Sequence, residues 1–241
     1  MLRKIVRRLR GSQRPAAPAR HEYKTVWNAL AGTESSAKRH VGGSEREEDL
    51  RNTGVVTRDV LSRTVGIRPE DTFLEIGCGV GRVGQMLAPL VKQWIGCDVS
   101  PNMIAHARTR LQAFGNVRFV EISGYDLTPI PNASVDVVYC TVVLMHLDEW
   151  DRYNYVLEAR RILRPGGRVF IDNFSICSDE GWAVFETHRT QVAPHDRAPH
   201  MSKSSTPQEL ETYLRRAGFE QVQGIAEGQM IHYWGIKPTN P

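Results

Sequence analysis

Cysteine is scarce in this chain of 241 residues, which contains four of them. They are Cys78, Cys97, Cys140 and Cys177, and their positions show neither paired spacing nor the short spacing of metal ligands. Reduced thiols in a cytoplasmic protein are therefore the simplest interpretation, and a disulfide framework is not expected. The chain also lacks any apolar run long enough to cross a bilayer, so no membrane-spanning helix is predicted.

Acidic residues are absent from the first twenty positions, where seven basic residues occur: Arg3, Lys4, Arg7, Arg8, Arg10, Arg14 and Arg20. Without these seven, 24 basic residues stand against 27 acidic ones, so the formal charge of +4 becomes −3 for residues 21–241. The basic character belongs to this tail, and it does not indicate a basic catalytic surface.

Residues 1–20 leave several interpretations open. Leu2, Ile5, Val6 and Leu9 would form an apolar stripe on a helix, and the neighbouring cations would let it contact an anionic membrane surface. The second interpretation is a flexible, solvated tail that ends at residues 14–18. The third is an organelle-targeting peptide. Nucleic acid is disfavoured as a partner, because no aromatic residues lie between the basic ones.

Glycine is concentrated where an apolar strand ends, at alternate positions Gly77, Gly79 and Gly81. A glycine directly after a strand lets the backbone turn sharply, and it lets a ligand approach the main chain. The helix that follows directs unpaired N–H groups towards that ligand. Gly79 to Gly84 also match the dinucleotide fingerprint G-x-G-x-x-G, a weak signal on its own. Since the strand ends before Gly77, the turn begins one glycine earlier than a nicotinamide site requires.

The turn from Glu75 to Gly81 resembles motif I of the class I S-adenosylmethionine (SAM) methyltransferases, in which an acid lies two positions before the first glycine. The resemblance continues in order through a strand at residues 93–98 that ends in an acid, a buried strand at 135–141 and the helix stop Leu-Arg-Pro-Gly-Gly at 163–167. It implies an α/β, Rossmann-like fold whose seven-stranded, mostly parallel sheet ends in an antiparallel hairpin and carries helices on both faces.

The resemblance also implies a set of cofactor-binding residues. Asp98 would bind the ribose hydroxyls, Met103 would pack on the adenine, and Arg82 would pair with the cofactor carboxylate. An acid after the third strand usually binds the adenine amino group, but Gly124 stands at that position here. The backbone at Gly124 and Tyr125, or Asp126, is expected to replace it. The full set is Glu75, Gly77, Gly79, Gly81, Arg82, Asp98, Val99, Met103, Gly124, Tyr125, Asp126, Thr141 and Val142.

Three residues are candidates for catalysis. His146 follows the fourth strand at the mouth of the crevice, where a histidine could accept a proton from an oxygen or amine acceptor, or could only line the pocket. Asp172 and Asn173 end the fifth strand and point to the same crevice. With Leu127-Thr-Pro they loosely resemble the protein α-N-terminal methyltransferases, in which a histidine and an asparagine position the amine.

The rest of the chain is expected to surround this core as one domain. Residues 21–70 form a helical lid in which Gly42 and Gly43 could close over SAM, or could belong to an ordinary loop. Residues 71–174 form the SAM-binding core, and residues 175–205 form an irregular acceptor cap. Residues 206–241 form a helix, with a capping box at Thr206, and the strands 219–225 and 229–236 of the hairpin. No metal site is predicted, because the three cap histidines His188, His195 and His200 lack close spacing.

The sequence therefore predicts SAM-dependent methyl transfer to an oxygen or nitrogen of a small or lipid-linked acceptor. A protein or peptide α-amine methyltransferase is the first alternative. An NAD(P)-dependent oxidoreductase and a non-catalytic SAM-binding module are the others. The pattern carries no information on the identity of the acceptor or on the oligomeric state.

Overall fold

Buried strands in the middle of the chain form the centre of one sheet. The computed structural model describes residues 19–239, so the predicted basic tail lies outside the described residues except for Ala19 and Arg20. The seven strands are ordered β3-β2-β1-β4-β5-β7-β6, and β7 runs antiparallel to both neighbours. This confirms the predicted sheet and its terminal hairpin. The strands are β1 (Thr72–Ile76), β2 (Gln93–Asp98), β3 (Val117–Glu121), β4 (Val135–Cys140), β5 (Leu163–Phe174), β6 (Glu220–Glu227) and β7 (Met230–Ile236).

Alternation along the central strands divides the core between the two faces of the sheet. Leu74 belongs to a cluster with Ile95 and Val138, whereas its neighbour Phe73 packs with Trp94 on the opposite face. Both faces are apolar because helices cover both, as expected for parallel strands. The helices are α1 (Tyr23–Leu30), α2 (Glu34–Gly42), α3 (Glu47–Thr64), α4 (Gly84–Leu87), α5 (Pro101–Arg110), α6 (Glu149–Ile162), α7 (Asp179–Gln191) and α8 (Pro207–Arg216). Within residues 19–239, no helix is long and apolar enough to cross a membrane.

Two segments differ from the expectations. Strand β5 begins at Leu163, within the stretch 163–167 that was expected to be only a helix stop, because Leu163 pairs with Val135 of β4 before a shift in register. The cap is not irregular throughout, since Ser178 accepts a hydrogen bond from the Gly181 N–H and begins the 13-residue helix α7. The apolar residues of this helix are few, which is why the sequence pattern did not predict it.

Side-chain caps begin two other helices, and the cap at Thr206 was predicted. The Ser100 hydroxyl accepts a hydrogen bond from the Met103 N–H and begins α5, with Pro101 in the first turn. Thr206 does the same for α8 through the Glu209 N–H. Helix α5 ends at Arg110.

Candidate functional site

The turn after β1 is tied to the end of β2. The N–H groups of Gly77 and Cys78 donate to the Cys97 carbonyl at 2.8 and 2.9 Å. Gly79 has φ of 51°, a left-handed conformation that favours glycine, and a Cβ at this position would lie 2.7 Å from Val41 Cγ2 of helix α2. Gly77 and Gly79 therefore form a cradle of main chain in the wall of a cavity beneath the lid, and Val41, which precedes the glycine pair at 42 and 43, packs beside this cradle.

Asp98 closes the other side of this turn. Its Oδ2 accepts the Gly79 N–H at 2.8 Å and its Oδ1 accepts the Ser100 N–H at 2.9 Å. The side chain is buried, and burial raises its pKa to about 6 in spite of these backbone hydrogen bonds. Each carboxylate oxygen keeps a second lone pair for a ligand in the cavity that Asp98 lines.

Glu75 is the second buried acid of the site. The Tyr139 hydroxyl donates to its Oε2 at 2.6 Å and accepts from Trp94 Nε1 at 2.8 Å. Burial raises the pKa of Glu75 to about 8, and the Tyr139 hydrogen bond and the charge of Arg82 oppose that rise. The Arg82 guanidinium is held by Thr53 and Thr57 of helix α3, at 3.1 and 2.9 Å from their carbonyl and hydroxyl oxygens.

Strain marks the segment after β4. Val142 has φ of 59°, which is an outlier for a β-branched residue. Asp172 stabilises this conformation, because its carboxylate accepts the Val142 N–H and the Thr141 hydroxyl, both at 2.7 Å. Asp172 is buried, and burial raises its pKa, while the nearby His232 opposes the rise. The turn places Thr141 and Val142 in the wall of the cavity.

His146 follows this turn and is mostly buried beneath the lid. Its Nδ1 lies 2.7 Å from the His200 carbonyl, which can only accept, so Nδ1 carries the proton and Nε2 carries the lone pair. The Trp27 ring of helix α1 packs edge-on against it at 4.7 Å between centroids. Burial lowers the pKa of His146 to about 4, so the ring is neutral near pH 7. Within residues 19–239, Nε2 has no hydrogen-bond partner.

These groups surround one cavity beneath the lid. Most of the predicted site residues line it. They are Glu75, Gly77, Gly79, Arg82, Asp98, Val99, Met103, Gly124, Thr141, Val142 and His146.

Four predicted contacts have other partners. Tyr125 is 41% exposed and its hydroxyl donates to the His21 carbonyl, while Asp126 accepts the Thr128 N–H at 3.0 Å within its own turn. Asp172 accepts hydrogen bonds from Thr141 and Val142 in the turn after β4 and does not line the cavity. Asn173 is fully buried and donates to Ser205 Oγ at 2.6 Å. The side chains of these residues have partners outside the cavity lining, and their contact with a ligand stays a prediction.

Gly81 also lies outside the lining. A Cβ on it would meet Leu111 and Ala107 of the α5 region, so its role is to let the turn pack on that helix. The cavity has other lining residues that the sequence did not single out for the site. Four come from the lid, and the full set is Tyr23, Trp27, His40, Val41, Ile76, Cys78, Ile122, Val143, Leu147 and Tyr155. Among the lid residues, Val41 lies next to the glycine pair at 42 and 43, while Ile76 and Cys78 belong to the glycine turn itself.

Comparison with known proteins identifies the family. Residues 74–171 match the family described as "Methyltransferase domain". A Mycolicibacterium smegmatis protein named "Probable S-adenosylmethionine-dependent methyltransferase" is 33% identical over 186 residues, which are 74% of this chain and 62% of that protein. The chain belongs to the class I SAM-dependent methyltransferases.

Two other members extend the comparison. The 27-O-demethylrifamycin SV methyltransferase of Amycolatopsis mediterranei is 28% identical over 166 residues, 67% of this chain and 58% of that enzyme. The chain thus spans less than two thirds of either curated relative's length. The solved structure of a SAM-dependent methyltransferase from Thermotoga maritima has a TM-score of 0.64 at 22% identity, and it covers 85% of this chain and 100% of that one. At that identity the likeness concerns the fold.

SAM is the cofactor of this methyltransferase family, and the cavity residues fit it. The glycine cradle brings the main chain of Gly77 and Gly79 to the cavity wall, where a Cβ on Gly79 would collide with Val41. A buried acid and a buried arginine, Glu75 and Arg82, suit the ammonium and carboxylate groups of the methionine part. Asp98 offers acceptors for ribose hydroxyls, and the buried Met103 offers an apolar surface for a base.

Proposed function

We propose that this protein transfers a methyl group from SAM to an oxygen or nitrogen atom of a small-molecule acceptor. The observation that carries the proposal is the neutral His146 in the wall of the cofactor cavity, with Nδ1 fixed as donor and Nε2 without a partner in the described part of the chain. Such a nitrogen can accept a proton that an oxygen or amine acceptor must lose.

The residues of the site have different roles in the proposed reaction. SAM supplies a methyl group that its sulfonium activates. Glu75, Arg82 and Asp98 bind and orient the cofactor, while Trp27 and Val41 of the lid cover the cavity and keep water out. Asp172 acts as a positioning residue, because it holds the strained Val142 turn that precedes His146. His146 Nε2 takes the acceptor's proton.

The choice of acceptor class has separate support. One relative is named as a methyltransferase of a small molecule, 27-O-demethylrifamycin SV. Asn173, which the α-amine alternative would need in the crevice, donates to Ser205 and accepts the Phe174 N–H through its other side-chain atom. These contacts favour a small or lipid-linked acceptor over a peptide α-amine.

Calorimetric titration with SAM, S-adenosylhomocysteine and NADP in parallel tests the cofactor assignment. We expect micromolar binding of the first two and none of NADP. Labelled SAM and an acceptor panel of alcohols, phenols, amines and short peptides then test the reaction. Binding of SAM with no labelled product from any acceptor would favour a non-catalytic binding module, and label in peptides alone would favour the α-amine alternative.

A further inference from the structure

A second cavity lies beside the cofactor cavity, between helix α7, the end of β5 and the loop at residues 197–204. Its volume is about 700 Å³, and it opens to solvent. Its wall is largely apolar, with half-buried Phe174, Ile176, Phe185 and Met201 turned towards the space. Apolar side chains that line an open cavity are suited to the body of a partly apolar ligand.

Among residues 19–239, every formally charged residue that lines this second cavity is cationic. They are Arg20, Arg189, Arg197 and Lys203, and His188 joins them. Arg189 pairs with Glu186 and Lys203 pairs with Asp148, so their charges are balanced nearby. Arg20 donates to the main-chain carbonyls of His146 and Met201. Within residues 19–239, neither Arg20 nor Arg197 has a carboxylate partner within ion-pair distance, which leaves an excess of positive charge.

The two cavities share a wall. Arg20 lines the second cavity and donates to the main chain of His146, which lines the first. The cap residue His200 accepts the His146 Nδ1–H through its carbonyl, and its ring packs edge-on against His40 at 5.3 Å between centroids. A ligand in the second cavity therefore lies one layer of side chains away from the proposed base.

The geometry points to the second cavity as the site that binds the non-reacting part of an anionic, partly apolar acceptor, with Arg197 and Arg20 receiving its carboxylate or phosphate. This inference rests on the proposed function and narrows its acceptor class. Arginine suits such a ligand because its planar guanidinium can donate two hydrogen bonds to one oxyanion. The acceptor then spans both cavities, because the apolar wall binds its remainder while its reactive oxygen or nitrogen extends past Arg20 into the cofactor cavity, towards His146.

Binding of simple amphiphiles to the full chain tests the site. Octyl phosphate and octanoate, below their micelle concentrations, would be titrated calorimetrically with S-adenosylhomocysteine present, alongside octanol and octyltrimethylammonium. We expect both anions to bind at least tenfold more tightly than octanol, and the cation not to bind. Arg197→Gln should weaken anion binding at least tenfold and Arg197→Glu should abolish it. Arg216→Gln, an exposed arginine of α8 outside both cavities, is the matched control and should bind as the unaltered chain does.

The outcomes separate this inference from the proposed function. If S-adenosylhomocysteine binds but octanol binds as tightly as octyl phosphate, or the Arg197 variants bind it unchanged, the anionic site is wrong and the cofactor assignment stands. If S-adenosylhomocysteine fails to bind, the proposed function is wrong. An acceptor identified with labelled SAM should carry an acid, and Arg197→Gln should raise its KM with little change in kcat. A neutral acceptor turned over equally well by this variant would overturn the inference.

Discussion

At the scale of single residues, Asp98 has two tasks, because it faces the cavity and also holds the turn that forms it. Asp98→Ala removes the acceptor for a ribose and leaves the buried N–H groups of Gly79 and Ser100 without their partner. We expect SAM affinity to fall at least tenfold, about 1.4 kcal/mol, and the free energy of unfolding to fall by about 1–3 kcal/mol. Calorimetry and urea denaturation measure the two effects.

Glu121 provides a matched control for that substitution. It pairs with Asp98 in register on the neighbouring strand but is exposed and bonded to Lys24 at the surface. Glu121→Ala should change either quantity by less than about 1 kcal/mol, since exposed ion pairs contribute little. Equal losses in both variants would show that Asp98 has no special part in the cofactor site.

His146 can be tested with a substitution that keeps its fixed hydrogen bond. In His146→Asn the amide can still donate to the His200 carbonyl, but no basic nitrogen remains. We expect methyl transfer to fall by about 10²–10⁴-fold, while SAM affinity stays within about twofold. Since the pKa of His146 is about 4, its protonation does not change the rate between pH 6 and 8. An unchanged kcat in the variant would mean that His146 only lines the pocket.

At the scale of elements, helix α5 links the lid to the cofactor cavity. Ser100 caps this helix and donates to Asn28 Oδ1 of α1 at 3.1 Å, and Met103 in the first turn lines the cavity. Ser100→Ala removes both contacts. We expect it to lower the free energy of unfolding by about 1 kcal/mol and to weaken SAM binding severalfold, measured by denaturation and calorimetry.

Thr206→Ala is the control, because Thr206 caps α8 in the same way and outside the cavity lining. It should lower stability by a similar amount, about 1 kcal/mol, with SAM affinity unchanged. If both variants weakened SAM binding equally, the loss would reflect general destabilisation and not the placement of α5.

Some strands and contacts of this fold could be predicted from the sequence, and others could not. Central strands such as β1 were predictable, because their apolar runs end at turn glycines whose conformation excludes most side chains. The lid contacts of Tyr23 and His40 were not, because they depend on how α1 and α2 cross the sheet. The strand-end position of Asp172 was predicted correctly, but its partners Thr141 and Val142 come from another strand's turn, which the sequence does not relate to it.

At the scale of the whole molecule, stability should depend on pH through the buried groups of the cavity. Glu75 has a pKa of about 8 in the folded chain against an ordinary value of 4.5, so the folded state holds a proton that the unfolded state has lost between these values. Stability therefore falls as pH rises towards 8. Asp98, with a pKa of about 6, acts in the same direction but only up to about pH 6. His146, lowered to about 4, acts in the opposite direction below its ordinary 6.5.

Of these three groups, only Glu75 still contributes a slope between pH 6.5 and 8. We expect the free energy of unfolding of the ligand-free protein to decrease across this window by up to about 1.4 kcal/mol per pH unit, the limit for one proton. Glu75→Gln keeps an acceptor for the Tyr139 hydroxyl but does not titrate, so its stability should be nearly independent of pH there. Urea denaturation of both proteins at several pH values measures the difference. If the free energy of unfolding changed with pH in the same way for both proteins, Glu75 would be ionised in the folded chain. Tyr139 and Arg82 would then stabilise the carboxylate of Glu75 more than its burial destabilises it.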